Sequence, residues 1–284
     1  MKIATNPSSP VLKWVGGKSQ ILNEVLGEFP ESFNTYHEPF LGGAAVFFSL
    51  GAEKAILSDA NKWLIGFYEA LKATPFELIE ELETIAEQFN SKPVADRSGV
   101  FYQLRDEFNS IEEVSLRKSA LFLALNKTCF NGLYRENTKG MFNVPYNQAK
   151  SQVRFLNTDN FLNASSKLQN ADLATRSFET VLDLAAPGDL TYFDPPYVPL
   201  TETSSFTSYS AGGFGESSQK TLLGVAKELV SKGVFVVLSN SYSDWVIKNY
   251  TSAGFKVLEI SAKRLVAAKA TSRTAVSEAL IVPK

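Results

Sequence analysis

Apolar runs and polar breaks alternate toward both ends of the chain, and their spacing predicts alternating strands and helices. Short apolar runs between turn residues are typical of buried strands, whereas apolar residues three and four positions apart indicate helices. The first unit, at 36–50, is a strand, a Gly-Gly turn and the start of a helix. Further strands are predicted at 54–57, 172–177, 190–193 and 234–239, helices at 180–185, 217–231 and 243–253, and a closing hairpin at 255–260 and 276–282. This pattern predicts an α/β fold with a mostly parallel sheet.

The middle of the chain breaks this alternation. Apolar residues with helical spacing recur at 63–89, 99–109 and 116–125. The stretch 130–146 is rich in Asn, Gly and aromatic residues, which predicts a loop or hairpin. We therefore expect an inserted, mainly helical domain at 62–152, within a catalytic domain formed by 1–61 and 153–284.

Composition narrows the possible function classes. The chain has 284 residues, of which 44% are apolar, and this suits one large domain, or one domain with a sizeable insertion. With one cysteine, Cys129, and one histidine, His37, no metal site is expected, and His37 is interpreted as structural. The N-terminus is polar, and no run approaches the ~20 apolar residues of a membrane span. We expect a soluble cytoplasmic protein.

Charge is distributed unevenly, although the net charge is only −2. Acidic residues are concentrated at 69–113, and basic residues dominate two later stretches. The basic residues are Arg117, Lys118, Lys127, Arg135, Lys139, Lys150 and Arg154, then Lys263, Arg264, Lys269 and Arg273. A nearly neutral total can conceal a basic face that binds phosphates, and ordinary solvated charge is the alternative.

The strongest candidate for chemistry is Asp194-Pro195-Pro196-Tyr197, which follows the predicted strand at 190–193. Ligands bind at the carboxyl ends of parallel strands, where this segment would lie. The Asp194 carboxylate and the Pro195 carbonyl can accept hydrogen bonds, and Tyr197 offers a flat face for stacking. A proline-rich turn after a strand is the structural alternative.

These groups suit an exocyclic amine on a planar ring, whose nitrogen lone pair is delocalised. Two acceptors on the amine hydrogens would draw the nitrogen toward a tetrahedral geometry, so that it attacks an electrophilic methyl group held in line. A sulfonium donor such as S-adenosylmethionine needs no metal. A target base inside a duplex must be flipped out, and here it would stack on Tyr197.

Two glycine turns precede this segment. Gly42 and Gly43 follow the first strand, where backbone amides at a helix start can approach a ligand, and the spacing favours a nucleoside over a triphosphate. Asp59 ends the next strand, the position at which a carboxylate accepts ribose hydroxyls in dinucleotide folds. The other turn, at 13–18, places Trp14 beside two glycines, and taken alone it is better explained as a simple turn with exposed lysines.

The motifs occur in one order, which is KWVGGK, EPFLGG, an acidic residue, FNGLYR, FNVPY and then DPPY. This ordered set, which covers nearly the whole chain, resembles the Dam-like DNA adenine-N6 methyltransferases. The resemblance implies a Rossmann-like S-adenosylmethionine-dependent methyltransferase fold with an inserted DNA-recognition domain and base flipping. It also implies a double-stranded DNA substrate with the site GATC. A cognate restriction endonuclease would then be a separate protein, and a monomer suits a palindromic site that is methylated one strand at a time.

The resemblance also implies roles for individual residues, with Asp194, Pro195, Pro196 and Tyr197 as the catalytic segment. Cofactor contacts would come from Trp14, Lys18, Phe40, Gly42, Gly43, Asp59, Ser177, Phe178 and Asp194. DNA contacts would come from Lys13, Asn131, Leu133, Arg135, Pro145 and Lys150. An arginine on a hairpin also suits bidentate reading of guanine, and a neighbouring leucine can wedge into a base step. The basic stretches at 117–154 and 263–273 would then face phosphates.

One departure and two alternatives accompany this interpretation. Where close relatives commonly continue Gly-Arg-Tyr-Lys after FNVPY, this chain has Asn-Gln-Ala-Lys, so Lys150 or Arg154 would replace a phosphate-contacting arginine. A methyltransferase for cytosine N4 or an RNA base is one alternative, although cytosine-N4 enzymes more often carry serine at the position of Asp194. A catalytically silent DNA-binding protein is the other, although it would not need intact DPPY, EPFLGG and Asp59.

Overall fold

The computed structural model describes residues 8–198, 214–263 and 275–284. Within these ranges one sheet is formed by β1 (Tyr36–Glu38), β2 (Ala55–Asp59), β3 (Ala171–Thr175), β4 (Leu190–Phe193), β5 (Phe235–Ser241), β6 (Phe255–Lys263) and β7 (Ala275–Pro283). The strand order is β3-β2-β1-β4-β5-β7-β6. All neighbours are parallel except β7, which runs antiparallel to both β5 and β6. The predicted α/β fold with a C-terminal hairpin is confirmed.

The helices are α1 (Leu22–Gly27), α2 (Ala45–Leu50), α3 (Lys62–Ala73), α4 (Pro75–Asn90), α5 (Arg97–Ser110), α6 (Leu116–Thr128), α7 (Thr158–Leu168), α8 (Val181–Leu184), α9 (Glu216–Ser231) and α10 (Asp244–Ser252). Side-chain caps begin α3 and α6, because Asn61 accepts from the amide of Leu64 and Ser115 accepts from that of Lys118. The predicted alternation omits α7, whose buried stripe is weakly apolar because it includes a serine and an alanine.

Both faces of the sheet are covered. On one face a buried cluster joins sheet residues such as Tyr36 and Leu57 to Phe67 of α3 and Phe122 of α6. On the other face, β5 packs against α9 and α10. Because α3 and α6 share a buried core with the sheet, the helical segment between β2 and β3 packs directly on the sheet. The division into domains at 62 and 152 stays a prediction.

The strand order reverses between β1 and β4, and this switch point locates the ligand crevice expected in such sheets. His37 of β1 is buried, with its Nε2 2.9 Å from Oδ2 of Asp189, just before β4. This pair ties β1 to the amino end of β4, away from the carboxyl ends that form the crevice. In the described ranges no helix is long and apolar enough to span a membrane.

Candidate active site and nucleic-acid interface

Two loops meet at the switch point. One follows β1 and carries Phe40, Gly42 and Gly43, and the other, residues 194–197, follows β4. Because β1 and β4 are parallel neighbours, paired through Tyr36 and Leu190, both loops emerge at the same edge of the sheet. The structure therefore brings together the cofactor turn and the DPPY segment predicted from the sequence.

Asp194 forms an ion pair with a buried lysine. Nζ of Lys18 lies 2.7 Å from Oδ1 of Asp194, with 4% and 22% of the side chains exposed. Nζ also donates to the Gly16 carbonyl and lies 4.9 Å from the ring centroid of Tyr197. Burial raises the pKa of Asp194, and the charge of Lys18 opposes this rise. Lys18 therefore favours the carboxylate form of Asp194, which can only accept hydrogen bonds.

The backbone of the 194–197 loop is held by two buried amide side chains. Gln219 of α9 donates to the Pro196 carbonyl at 2.7 Å, and Asn240 of β5 accepts from the amide of Val198 at 3.0 Å. The two side chains bond to each other at 3.1 Å. Among the described residues, none donates to the Pro195 carbonyl. Gln219 and Asn240 therefore fix the backbone of the loop and leave the Pro195 carbonyl as an acceptor for a ligand.

Tyr197 is oriented by a residue of the C-terminal hairpin. Its hydroxyl donates to Oε2 of Glu278 in β7 at 2.7 Å. Glu278, Gln219 and Asn240 were missed in the sequence analysis. A signal existed for Asn240, because it is a polar residue near the carboxyl end of β5, two positions after the apolar run ends at Leu238.

The glycine turn after β1 is tightly packed. Gly42 has φ 47°, and a Cβ at this position would lie 2.7 Å from Cδ1 of Trp14, so the turn requires glycine. Trp14 also stacks on Tyr134 of the segment that follows α6, with ring centroids 6.2 Å apart. The predicted cofactor residue Trp14 therefore connects the turn to the segment predicted to contact DNA.

The buried carboxyl of Glu38, at the start of this turn, predicts a pH-dependent stability. It accepts from the Tyr36 hydroxyl and the Phe47 amide, and burial raises its pKa to about 8, against about 4.3 for an exposed glutamate. A raised folded-state pKa contributes stability that is present below the unfolded pKa and is lost as the pH rises through the folded pKa.

We expect Glu38→Gln, which keeps the shape without the charge, to match the wild-type unfolding temperature near about pH 5 and to exceed it near about pH 9. Between these values the unfolding free energy of the wild-type protein falls, relative to that of Glu38→Gln, by up to about 1.4 kcal/mol per pH unit. Thermal unfolding across this range measures the difference, with the exposed Glu31→Gln as control. A difference that is the same at both pH values would contradict the assignment.

The remaining predicted cofactor residues surround the crevice. Asp59 accepts from the amides of Gly42 at 3.1 Å and Asn61 at 3.0 Å, one on each carboxylate oxygen. Phe40 and Phe178 stack with ring centroids 5.3 Å apart. Ser177, next to Phe178, is exposed, and its hydroxyl donates to Glu179 at 2.7 Å. These contacts place a carboxylate and two aromatic faces beside the turn.

The segment after α6 is a hairpin with little regular structure. Its two limbs are bridged at Cys129 with Tyr146 and at Glu136 with Phe142. Of the predicted DNA contacts, the exposed ones are Lys13, Asn131, Arg135, Pro145 and Lys150. Leu133 is half-buried and packs against the core, whereas Phe130 and Met141, which the sequence analysis passed over, are 49% and 43% exposed.

Arg135 is held in a defined orientation on this hairpin. Its Nε donates to Oδ1 of Asn143 at 2.8 Å, and its backbone carbonyl accepts from the Asn143 amide at 3.0 Å. Within the described part of the chain, no residue accepts from its two terminal nitrogens. The guanidinium edge formed by these two nitrogens, which is the edge that can bond to guanine in a bidentate way, is therefore presented to solvent.

The prediction that the whole first basic stretch faces phosphates is wrong at three positions. Lys118 is buried, Arg117 is paired with Glu81 and Glu107, and Lys127 donates to the Val11 carbonyl at 2.6 Å. These cations hold helices and the N-terminal segment together. The second stretch, 263–273, lies outside the residues whose side chains the structure describes.

A mostly parallel sheet with DPPY at its switch point defines an amino-group methyltransferase. Residues 14–266 match the family described as D12 class N6 adenine-specific DNA methyltransferase, and the chain belongs to this family. The resemblance to Dam-like enzymes and the expected adenine-N6 methylation of DNA are confirmed.

Named relatives align along nearly their full length. The chain is 39% identical over 276 residues to the Type II methyltransferase M.MjaIII of Methanocaldococcus jannaschii, covering 93% of this chain and 94% of that protein. It is 39% identical over 277 residues to the Type II methyltransferase M1.LlaDCHI of Lactococcus lactis subsp. cremoris, covering 96% and 94%. It is 33% identical over 271 residues to the DNA adenine methylase of Serratia marcescens, covering 95% and 96%.

Proposed function

We propose that this protein transfers a methyl group from S-adenosylmethionine to N6 of adenine in double-stranded DNA, within the sequence GATC. The observation that carries the proposal is the pair of acceptors at the 194–197 loop. The Asp194 carboxylate is paired with Lys18, the Pro195 carbonyl is free of donors among the described residues, and both lie beside the glycine turn. Two fixed acceptors match the two hydrogens of an exocyclic amine.

The residues around the turn fit S-adenosylmethionine. The Asp59 carboxylate accepts from the backbone amides of Gly42, Asn61 and Ala60. A carboxylate offers about four acceptor sites, so acceptor capacity remains for a ribose hydroxyl. Phe40 and Phe178 are half-buried aromatic side chains that can pack on the adenine ring, with Ser177 beside them. Trp14, Gly42, Gly43 and Lys18 complete the proposed set. When bound, the cofactor supplies the electrophilic methyl group.

The catalytic work of the chain is to position and prepare the target nitrogen. Asp194 and Pro195 accept from its two hydrogens, which localises the lone pair on the nitrogen. Tyr197, fixed by Glu278, stacks on the flipped base. Lys18 maintains the carboxylate form of Asp194. This form is required, because a protonated carboxyl would present a hydrogen-bond donor to the amine. As the bond from nitrogen to the methyl carbon forms, the electrons of the broken methyl–sulfur bond would stay on the donor sulfur. The methylated nitrogen would then release one proton to solvent water.

DNA recognition is assigned to the inserted segment, 62–152, and to Lys13. Arg135 would read a guanine, Lys13 a neighbouring base and Pro145 the thymine, while Asn131 and Leu133 contact the displaced base step. Lys150, with Arg154 as the other exposed cation nearby, would contact phosphate in place of the arginine that close relatives carry.

Replacing Arg135 tests the direct reading of guanine. We expect Arg135→Ala to relax discrimination at one guanine by about 1–3 kcal/mol, because it removes a bidentate contact. Methylation rates on duplexes with single substitutions in GATC measure this change. Lys139→Ala removes an exposed cation of the same hairpin and serves as control. An equal loss on all duplexes would instead make Arg135 a phosphate contact.

The methyl donor and the DNA recognition sequence can be tested in one experiment. The protein is mixed with labelled S-adenosylmethionine and duplexes that differ from GATC by one base pair, and the product nucleoside is identified. We expect N6-methyladenine on the GATC duplex. Equal labelling of every duplex would remove the GATC assignment. Label on cytosine N4, or on RNA alone, would favour the alternative amines considered above.

The relatives bear on the biological setting. Two are named Type II methyltransferases, which supports a restriction endonuclease that acts separately on the same site. We propose a monomer, because a palindromic site can be methylated one strand at a time. Sedimentation of the protein with and without a GATC duplex tests this state.

A further inference from the structure

Asn126 lies at a junction of three segments near the end of α6. Its side chain is buried, with 4% exposed. Oδ1 accepts from the Lys13 amide at 2.9 Å, and Nδ2 donates to the Lys13 carbonyl at 2.7 Å and the Gly132 carbonyl at 3.0 Å. Both hydrogens of the amide are used, and exchanging its oxygen and nitrogen would set like groups together. The network therefore defines one orientation.

Gly132 brings the same two segments into direct contact. A Cβ on Gly132 would lie 2.5 Å from Cβ of Lys13, and its φ of 65° is in the left-handed region. Only glycine permits this approach without displacement. Asn126 and Gly132 therefore set the position of the Lys13 backbone relative to the hairpin that carries Arg135.

Among the residues that the structure describes, three other asparagines make a similar pair of bonds with the amide and carbonyl of one distant residue. They join Asn90 to Val153, Asn109 to Phe142 and Asn160 to Ser9. Asn126 differs because its amide also reaches a third segment, so that it links the N-terminal lysine to the hairpin. Asn90 and Asn160 supply controls that lose the same type of bonds elsewhere.

We propose that Asn126 is a specificity-determining positioning residue, which sets the spacing between Lys13 and the hairpin so that both contact one recognition site. The inference rests on the proposed function, which assigns DNA contacts to Lys13 and Arg135. These residues come from separate segments, and neither lies in a regular element that would define their separation. Hydrogen bonds tolerate only about 0.5 Å in length, so a small shift of Lys13 disturbs base reading.

The test compares Asn126→Ala with Asn90→Ala and Asn160→Ala. For each variant, kcat and KM for DNA are measured on the GATC duplex and on duplexes with one base pair changed, and thermal unfolding is recorded. We expect Asn126→Ala to reduce discrimination by about tenfold, the size of one lost base contact, with an unchanged KM for S-adenosylmethionine. The controls lose stability but keep wild-type discrimination. Uniform loss on all duplexes in Asn126→Ala would overturn the proposal.

Two further variants make the outcome decisive. Gly132→Ala pushes the same two segments apart from the hairpin side, so this variant can be used if Asn126→Ala does not fold. Wild-type discrimination in Gly132→Ala would overturn the proposal. In the Asn126→Ala background, Lys13→Ala should cause little further loss of discrimination, whereas a full additive loss would contradict the coupling. If neither Lys13→Ala nor Arg135→Ala changes discrimination between the duplexes, the proposed DNA contacts are wrong. If these two variants reduce discrimination and Asn126→Ala does not, only the role of Asn126 is wrong.

Discussion

Asp194→Ala is expected to lower the rate of methyl transfer by roughly 10²–10³-fold while DNA binding survives. The substitution removes the carboxylate acceptor from the 194–197 loop, so the nitrogen lone pair stays delocalised. DNA binding survives because the proposed contacts lie on the hairpin and at Lys13. Single-turnover methylation with saturating DNA, together with a binding titration on the same duplex, measures both effects.

The appropriate control is Asp183→Ala, which removes an exposed carboxylate of α8. It should leave both measurements unchanged. Asp194→Ala also leaves the buried ammonium of Lys18 without its carboxylate partner, so its unfolding temperature should fall. Substantial methylation by a folded Asp194→Ala protein would exclude the carboxylate from the reaction.

Lys18→Met is expected to have the second largest effect, on both stability and pH dependence. The variant keeps the length of the side chain but leaves Asp194 without its cation, and breaking a buried pair costs about 3–5 kcal/mol of unfolding free energy. Burial then raises the pKa of Asp194 further, because Lys18 no longer opposes it. Since the reaction needs the carboxylate, activity is lost as the pH falls through a higher pKa than in the wild-type protein.

The pH–rate profile at saturating substrates measures this shift, and stability measured across the same range gives an independent check. The unfolding free energy of Lys18→Met should decline as the pH rises through the pKa of Asp194, because the ionised carboxyl is buried without a partner. Lys92→Met, at an exposed position, should move neither curve. If Lys18→Met and the wild-type protein lose activity at the same low pH, the ionisation that limits the rate belongs to a group other than Asp194.

Several elements were predictable because their patterns are local. All four residues of β4 are buried, as its continuous apolar run predicts for a central parallel strand. In α4 the buried residues Leu78, Leu82, Ile85 and Phe89 follow helical spacing, and Pro75 stands in the first turn. Such spacing reports which face meets the core, and a motif directly after a strand is therefore placed at the sheet edge.

Whether an individual charged side chain is buried, paired or exposed was not predictable in the same way. Lys118 counts as a cation in the sequence, yet its ammonium is buried, 3.7 Å from the ring centroid of Phe108 and 3.9 Å from that of Trp63. Arg117 lies beside it in the chain and is paired with glutamates of α4 and α5. Whether a basic residue faces DNA depends on the packing of its helix, which composition does not report.

By itself, the sequence determined the strands, most of the helices, the order of the motifs and the chemical groups available after β4. The tertiary structure decided the partners, which are Lys18 for Asp194, Glu278 for Tyr197, the pair Gln219 and Asn240 for the loop backbone, and Asn126 for Lys13. Each partner comes from a segment distant along the chain. A hydrogen bond forms only when two atoms come within about 3 Å, and that distance is set by the packing of the whole fold.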